Sequence, residues 1–236
     1  MKFKDTEAVV IGDIHGNYDL LVELYTKIKD KWPNARVFTA GDICDRGLKT
    51  RRVVSFLIKH KIKSVRGNHD EWFNKWLNGN IRFYDFAAWT MSNNGGSNTM
   101  ASYPKDKKPL SHIQYIDKQP LSIELPNILV DGKKVIITHA PYSHNGTEVD
   151  NWNAVHRDDP LPGWFNVCGH MIHVDPIQKG NIFYVDTGCG ASGPLSAVHL
   201  PSLETVQAGQ WKDTKLKEMW EEYSAKYPVA KGIDNE

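Results

Sequence analysis

The sequence predicts an α/β (α+β) fold in which a central β-sandwich of two mixed sheets is flanked by helices. Three observations predict it. Short β-branched runs alternate with amphipathic stretches over roughly the first 70 residues. An aromatic, strand-poor middle interrupts them. Strand-like runs then return after residue 120 and continue to about residue 207.

Ala8-Val9-Val10-Ile11 reads as the first strand and runs into Gly12-Asp13-Ile14-His15-Gly16. Asn17 is a plausible N-cap, and Leu20, Leu21, Leu24 and Ile28 recur at helical spacing until Trp32-Pro33-Asn34 stops the helix. Ala35-Arg36-Val37-Phe38-Thr39-Ala40 is a second strand, ending in Gly41-Asp42-Ile43-Cys44-Asp45-Arg46-Gly47. Val53, Val54, Leu57 and Ile58 share one face of a second helix. Ile62-Lys63-Ser64-Val65 enters Arg66-Gly67-Asn68-His69-Asp70, and another helix is expected from near Glu71. This is the βαβαβ rhythm of a parallel sheet.

Residues 71–118 read as a helical insertion containing Trp72, Trp76, Phe83, Tyr84, Phe86 and Trp89, with a turn at Asn93-Asn94-Gly95-Gly96. Strands are then expected on either side of Pro126, with Asp131-Gly132 as a hairpin turn. Three further runs end in His139, in Gly169-His170 and in Asp186-Thr187-Gly188. Ala197-Val198-His199-Leu200 and Thr205-Val206-Gln207 suggest a closing antiparallel pair. Leu216, Met219, Trp220 and Tyr223 form a stripe on a C-terminal helix, residues 211–225, which we expect to pack on the core. Without repeats, low-complexity tracts or linkers, residues 1–236 are expected to form one domain.

The 40% hydrophobic and 24% charged composition is that of an ordinary globular chain. A formal net charge of +1 supplies no global field to recruit nucleic acid or a membrane surface. The three cysteines fit neither a disulfide framework nor a zinc ribbon. No signal peptide or membrane span is expected, so a cytoplasmic setting, a monomer, and no nucleic-acid or membrane partner are the simplest expectations.

The chemistry lies at the strand ends. Asp13, His15, Asp42, Asn68, His139 and His170 offer two carboxylates, an amide oxygen and three imidazoles. Such mixed ligands suit borderline divalent ions such as Mn²⁺, Fe or Zn. Six are too many for one four-coordinate ion and about right for two, with Asp42 central enough to bridge them. A metal pair can lower the pKa of a water and clamp a phosphoryl group. Arg46 and Arg66 are candidates to bind phosphate oxygens. His69 is a candidate general acid, with Asp45 orienting its ring.

The three glycine-bounded blocks at residues 12–16, 41–47 and 66–70 resemble the signature of the phosphoprotein phosphatase family. That family is a branch of the calcineurin-like metallophosphoesterases, and the pattern is nearest to its bacterial and phage members, typified by the bacteriophage lambda protein phosphatase. The likeness continues through Asn94-Gly95-Gly96, Thr138-His139-Ala140, Trp152-Asn153, Gly169-His170 and Asp186-Thr187-Gly188, covering roughly residues 8–200. It implies a binuclear site. Asp13 and His15 would hold one ion, Asn68, His139 and His170 the other, and Asp42 would bridge. His69 would be the acid paired with Asp45, Arg46 and Arg66 would bind phosphate, and Mn²⁺ is the ion implied.

Two departures stand out. Asp70 replaces the usual Glu, with little effect expected. Ala154 follows Trp152-Asn153 where the branch supplies a phosphate-binding Arg, leaving Arg157 as the substitute candidate. His173 is a second candidate beside His170, judged to lie outside the ligands. The resulting expectation is a phosphomonoesterase acting on phosphoserine and phosphothreonine, with phosphotyrosine or small phosphoesters as further substrates. The alternatives are symmetrical cleavage of diadenosine tetraphosphate, with the insertion tryptophans stacking adenine, and a non-catalytic binding module of the same fold.

Overall fold

The computed structural model describes residues 6–91, 93–104, 107–141 and 161–226 of the 236-residue chain. Two five-stranded sheets form its centre. The first has the order β10-β9-β1-β2-β3 and comprises β1 (Ala8–Ile11), β2 (Arg36–Thr39), β3 (Lys63–Ser64), β9 (Leu195–Leu200) and β10 (Thr205–Ala208). The second has the order β4-β5-β6-β8-β7 and comprises β4 (Ser122–Val130), β5 (Lys133–Thr138), β6 (Trp164–Cys168), β7 (Ile177–Lys179) and β8 (Ile182–Tyr184). β1, β2 and β3 run parallel, as do β5, β6 and β8, while β9 pairs antiparallel with β1 and with β10.

Strand alternation sorts the core into two layers. Ala8 and Val10 of β1, with Phe38, Val135, Ile137, Phe165, Val167 and Phe183, pack between the sheets. Val9 and Ile11 point the other way, onto the helices α1 (Tyr18–Lys31) and α2 (Thr50–Lys59). β1 is buried on both faces, which is why it reads as an unbroken apolar run.

The insertion is helical, as α4 (Phe83–Thr90), α5 (Gly96–Ser102) and α6 (Leu110–Asp117). The helix before it, α3, spans Asn68–Leu77 and so begins three residues earlier than expected. Gly67 caps it, and the Asp70 carboxylate reaches back to accept the Gly67 N–H at 3.0 Å. Asn17 sits at the N-cap of α1 but does not cap it. Its amide donates to the carbonyls of Ile14, His15 and Cys189, tying two loops together. The runs flanking Pro126 are one strand with a register shift between Leu125 and Leu129. Asp131 and Gly132, both at positive φ, turn it into β5.

The C-terminal helix α7 (Thr214–Lys226) departs from expectation. Leu216 and Trp220 are half-buried, whereas Met219 and Tyr223 are 49% and 39% exposed. The stripe meets the body along one edge only, so it is not core packing. All three cysteines are buried and free. Among the described residues, no helix is long and apolar enough to cross a membrane.

His112 of α6 joins the insertion to α2. Its ring lies between Ser55 Oγ at 3.0 Å and the Tyr103 hydroxyl at 2.9 Å. Burial first, then the Arg51 charge, hold its pKa down to about 4. The unfolded chain, with a His pKa near ~6.5, therefore binds this proton more readily. The stabilisation is complete above that pKa and declines as pH falls from ~6.5 toward 4. Urea unfolding should show the wild type losing about 1–2 kcal/mol more than His112→Gln between pH 7 and pH 5. Equal losses would remove His112 as the cause.

Candidate active site

Parallel strands deliver their carboxyl ends to one side of a sheet, and here both sheets do so at the same place. Asp13 and His15 follow β1, Asp42, Asp45 and Arg46 follow β2, and Asn68 and His69 follow β3. From the second sheet, His139 follows β5, His170 follows β6 and Asp186 follows β8. Almost all of this is out of water: Asp13, His15, Asp42 and His69 are each 2% exposed, and Asp45 and His139 0%.

Close backbone approach makes this packing feasible. A Cβ on Gly67 would lie 2.0 Å from Asp42 Oδ1, and one on Gly169 2.0 Å from Asp13 Oδ1. His15, Asp42, Asp45, Arg46 and His170 all have positive φ, at 45°, 45°, 70°, 59° and 62°. Such backbone costs roughly 1–3 kcal/mol per residue and persists only where surrounding contacts fix it.

Asp42 is the hub. Its Oδ2 lies 3.7 Å from His15 Nε2 and 3.4 Å from His139 Nε2, while Oδ1 accepts the His69 N–H at 3.0 Å. His139 Nε2 is also 2.9 Å from Asn68 Oδ1 and 3.1 Å from His170 Nδ1. The far nitrogens of two rings are fixed by backbone: His15 Nδ1 on the Cys44 carbonyl and His139 Nδ1 on the Ala40 carbonyl, both at 2.9 Å. That turns each Nε2 inward, the orientation that imidazole ligands require. Two ligand groups result, His15-Asp42-His69 and Asp42-His139-His170, with Asp42 in both. Asp13 stands beside them, its carboxylate accepting the His170 N–H at 3.1 and 3.3 Å.

The electrostatics follow from burial. Desolvation, then Asp186, push Asp13 well above the usual carboxylate range. For Asp42 the desolvation penalty is outweighed by His139, His69 and His15, and its pKa is well below that range. Burial works against a charge on His139, but Asp42 and Asp13 lift it to about 10. Burial and then His139 hold His170 down to about 4. Buried carboxylates and inward imidazole nitrogens that hold protons in each other's presence fit divalent cations, which would take the place of those protons.

His69 has its own support. Its Nδ1 is 2.7 Å from Asp45 Oδ2, and the other side of its ring faces the Arg46 guanidinium at 3.3 Å from Nε2. Asp45 is gripped from the insertion. The Trp89 indole N–H donates to Oδ2 at 2.7 Å, and the Thr99 hydroxyl donates to Oδ1 at 2.7 Å. Arg46 also lies 2.8 Å from His15 Nε2.

Asp13, His15, Asp42, Asp45, Arg46, Asn68, His69, His139 and His170 are thus brought together. Arg66 is not. Its guanidinium donates to Glu71 at 3.2 Å and to the carbonyls of Ile116 and Asp117 at 3.3 and 2.9 Å, which close the end of α6. A cation at a helix C-terminus is favoured by the exposed carbonyls there, and that is where the Arg66 guanidinium is engaged. Arg157 lies outside the described residues. His173 is buried with its ring against Tyr184, at 4.9 Å between ring centres, and belongs to neither ligand group.

Four residues escaped the sequence reading of the site. Trp89 and Thr99 are the grip on Asp45. Asp70 bridges two loops by accepting the N–H groups of Ile43 and Gly67, each at 3.0 Å. Asp186 is 4% exposed, accepts the Gly188 N–H at 2.9 Å, and is raised to about 6 by burial. Its strand-to-glycine setting matches the ends of β1, β2, β3 and β6, and that is the available signal.

A two-sheet sandwich presenting a buried carboxylate and imidazole cluster at its strand ends defines a class, the metal-dependent phosphoester hydrolases. The chain belongs to the calcineurin-like phosphoesterase family, whose model matches residues 7–171. It is 26% identical over 240 aligned positions to a bis(5'-nucleosyl)-tetraphosphatase PrpE (asymmetrical) of Halalkalibacterium halodurans, covering 84% of this chain and 91% of that one. It is 28% identical to serine/threonine-protein phosphatase 2 of Salmonella typhimurium, covering 79% and 89%. A crystal structure of a candidate diadenosine tetraphosphatase superposes with a TM-score of 0.64 over 90% of this chain and 97% of that one. At its 18% identity, that likeness speaks for the fold. Family membership implies divalent metal ions, and the residues present fit them.

Asp42→Asn should at least halve the Mn²⁺ bound at equilibrium dialysis, and unchanged stoichiometry would remove Asp42 from the centre of the site. Gly67→Ala should destabilise the fold by about 1–3 kcal/mol through overpacking against Asp42, read as a shift of the urea midpoint.

Proposed function

We propose that the chain hydrolyses dinucleoside tetraphosphates asymmetrically, releasing a nucleoside triphosphate and a nucleoside monophosphate. The observation that carries hydrolysis is the Asp45–His69 pair at 2.7 Å, set beside Arg46 and the Asp42-centred donor cluster. The substrate reading is supported by relatives named as asymmetrical bis(5'-nucleosyl)-tetraphosphatases in Halalkalibacterium halodurans, Anoxybacillus flavithermus and Oceanobacillus iheyensis, each covering 84% of this chain. It reverses the order expected from sequence, where phosphoserine and phosphothreonine came first and symmetrical cleavage was the alternative. Cleavage of phosphoproteins stands as the second reading, supported by the Salmonella relative and by the signature resemblance to the lambda phosphatase branch.

Asp13, His15, Asp42, Asn68, His139 and His170 are the residues that would hold divalent ions, with Mn²⁺ the expected metal. What such a pair supplies when bound is neutralisation of phosphoryl charge and a water of lowered pKa. The chain's own groups do the rest. Arg46 places a guanidinium at the mouth of the donor cluster, where it would meet the phosphoryl oxygens of the substrate. Asp45 accepts the Nδ1–H of His69 and so fixes the ring with Nε2 outward. In its protonated form His69 donates from Nε2 to the leaving oxygen as the P–O bond breaks. Of the insertion tryptophans, Trp72 at 7% and Trp89 at 0% exposure are too buried to stack adenine, whereas Trp76 is half-buried with Lys108 Nζ 3.9 Å from its ring centre. The binding-module reading is disfavoured, because among the described residues every part this chemistry needs is brought together except a second guanidinium.

Turnover of diadenosine tetraphosphate and of a phosphothreonine peptide by Mn²⁺-loaded protein, with a chelated control, tests the reading. ATP and AMP as products, with the dinucleotide preferred, are expected. ADP alone would mean symmetrical cleavage, and preference for the peptide would establish the second reading. His69→Asn should slow hydrolysis of phosphothreonine, a poor leaving group, by about 10²–10⁴-fold and p-nitrophenyl phosphate far less. Trp89→Phe should show the same leaving-group pattern at smaller size. Equal losses on both substrates would assign Trp89 a packing role only.

A further inference from the structure

On the outer side of the helices, a cleft of about 450 Å³ runs between α1 and α2. Tyr18 and Val22 of α1 and Phe56 of α2, all half-buried, form its apolar walls. Its charge is of one sign. Arg51, Arg52 and Lys59 line it, and none of its lining residues is acidic. Residues three and four apart share a helix face, so these three cations surround Ser55 of the same helix. Arg52, Ser55 and Lys59 are exposed and Arg51 is half-buried. None of the three cations has an ion-pair partner among the described residues. The carboxylates on the facing part of α1 are engaged elsewhere, Asp19 by Lys49 and Glu23 by Lys27 at 2.7 Å. Ser55 itself is fixed in place. Its Oγ lies 3.0 Å from Nε2 of the buried His112, whose Nδ1 meets the Tyr103 hydroxyl at 2.9 Å. When Tyr103 donates to Nδ1, the Nε2–H donates to Ser55, and the serine O–H is left to donate into the cleft. None of these residues belongs to the donor cluster.

We propose that this cleft is a second anion site, for the phosphate group of a small molecule, held by Arg51, Arg52 and Lys59 with the Ser55 hydroxyl as a neutral donor between them. Like charges one turn apart on a helix face repel, and the three cations here are balanced by a ligand rather than by the chain. Guanidinium groups match the oxygens of a phosphate in pairs, and a lysine adds a point charge. A phosphate monoester brings three acceptor oxygens and close to two negative charges at pH 7. A carboxylate brings two oxygens and one charge, too little for four donors. The neutral His112 ring completes the site from below. Burial and then the Arg51 charge hold its pKa down to about 4, so at pH 7 it positions Ser55 without adding a fourth cation.

Calorimetric titration of the Mn²⁺-loaded protein with inorganic phosphate tests this. Two binding events are expected, one lost in Asp42→Asn and one retained there. Arg52→Glu combined with Lys59→Glu, both at exposed positions, should weaken the retained event by about tenfold. Ser55→Ala, which leaves the charges in place, should weaken it by about threefold to tenfold through loss of one hydrogen bond. No phosphate event in Asp42→Asn, or an event unmoved by the charge reversal, overturns the site. Affinity unmoved by Ser55→Ala overturns its placement over the hydroxyl. Acetate that competes as strongly as phosphate overturns the phosphate class. Displacement of phosphate by adenosine monophosphate supports a nucleotide as the source of the phosphate group, and phosphate binding that the nucleotide does not displace supports free phosphate.

Discussion

Five carboxylates, those of Asp13, Asp42, Asp45, Asp70 and Asp186, are buried at one edge of the molecule, and the architecture around them is a set of answers to that burial. An uncompensated buried charge costs several kcal/mol. Backbone N–H groups meet part of the demand: His170 donates to Asp13, His69 to Asp42, Ile43 and Gly67 to Asp70, and Gly188 to Asp186. Of those donors, His170 and Gly188 lie in left-handed backbone, while Gly67 and His69 open the N-terminus of α3. Imidazoles and Arg46 meet another part. Asp13 and Asp186, with raised pKa values, mark where positive charge is still wanted. Metal binding thus answers the same requirement that shapes the fold.

The helical insertion belongs to this arrangement. Trp89 and Thr99 hold both oxygens of Asp45, and the Asn98 amide donates to the Arg46 carbonyl at 2.6 Å. The Arg46 side chain in turn reaches the Asn93 carbonyl at 3.4 Å. The loop after β2 is therefore clamped between the sheet and a segment far along the chain. His69 inherits its orientation from that clamp through Asp45, so its ring and the insertion are one mechanical unit.

Most of the strand ends were legible in the sequence, because short β-branched runs ending in Gly and Asp or His carry a local signature. The residues that were missed act across the chain. Asp45 meets Trp89 and Thr99 only after the insertion folds back over the sheet, and nothing near position 89 distinguishes that indole from the core aromatics beside it. The direction of Arg66 depends on the carbonyls closing α6, some 50 residues away, so a local motif suggested a phosphate ligand where the structure has a helix cap. Asp186 follows the same local rule, a strand running into Asp and then Gly, and its burial beside Asp13 appears only once the two sheets are packed. The α7 stripe shows the opposite failure: helical periodicity identifies an apolar face but not whether anything covers it.

The ends of the two sheets carry a consequence for the protein in solution. An unpaired strand edge is a template on which other chains aggregate. Here β3 has two residues and begins with Lys63, and β7 has three. The long outer strand β4 is interrupted by its register shift and carries Pro126, which has no N–H to offer, beside the charge of Glu124. Such shortened, charged and broken edges resist strand-to-strand association. At these three edges a second copy of the chain would find little continuous strand to pair with.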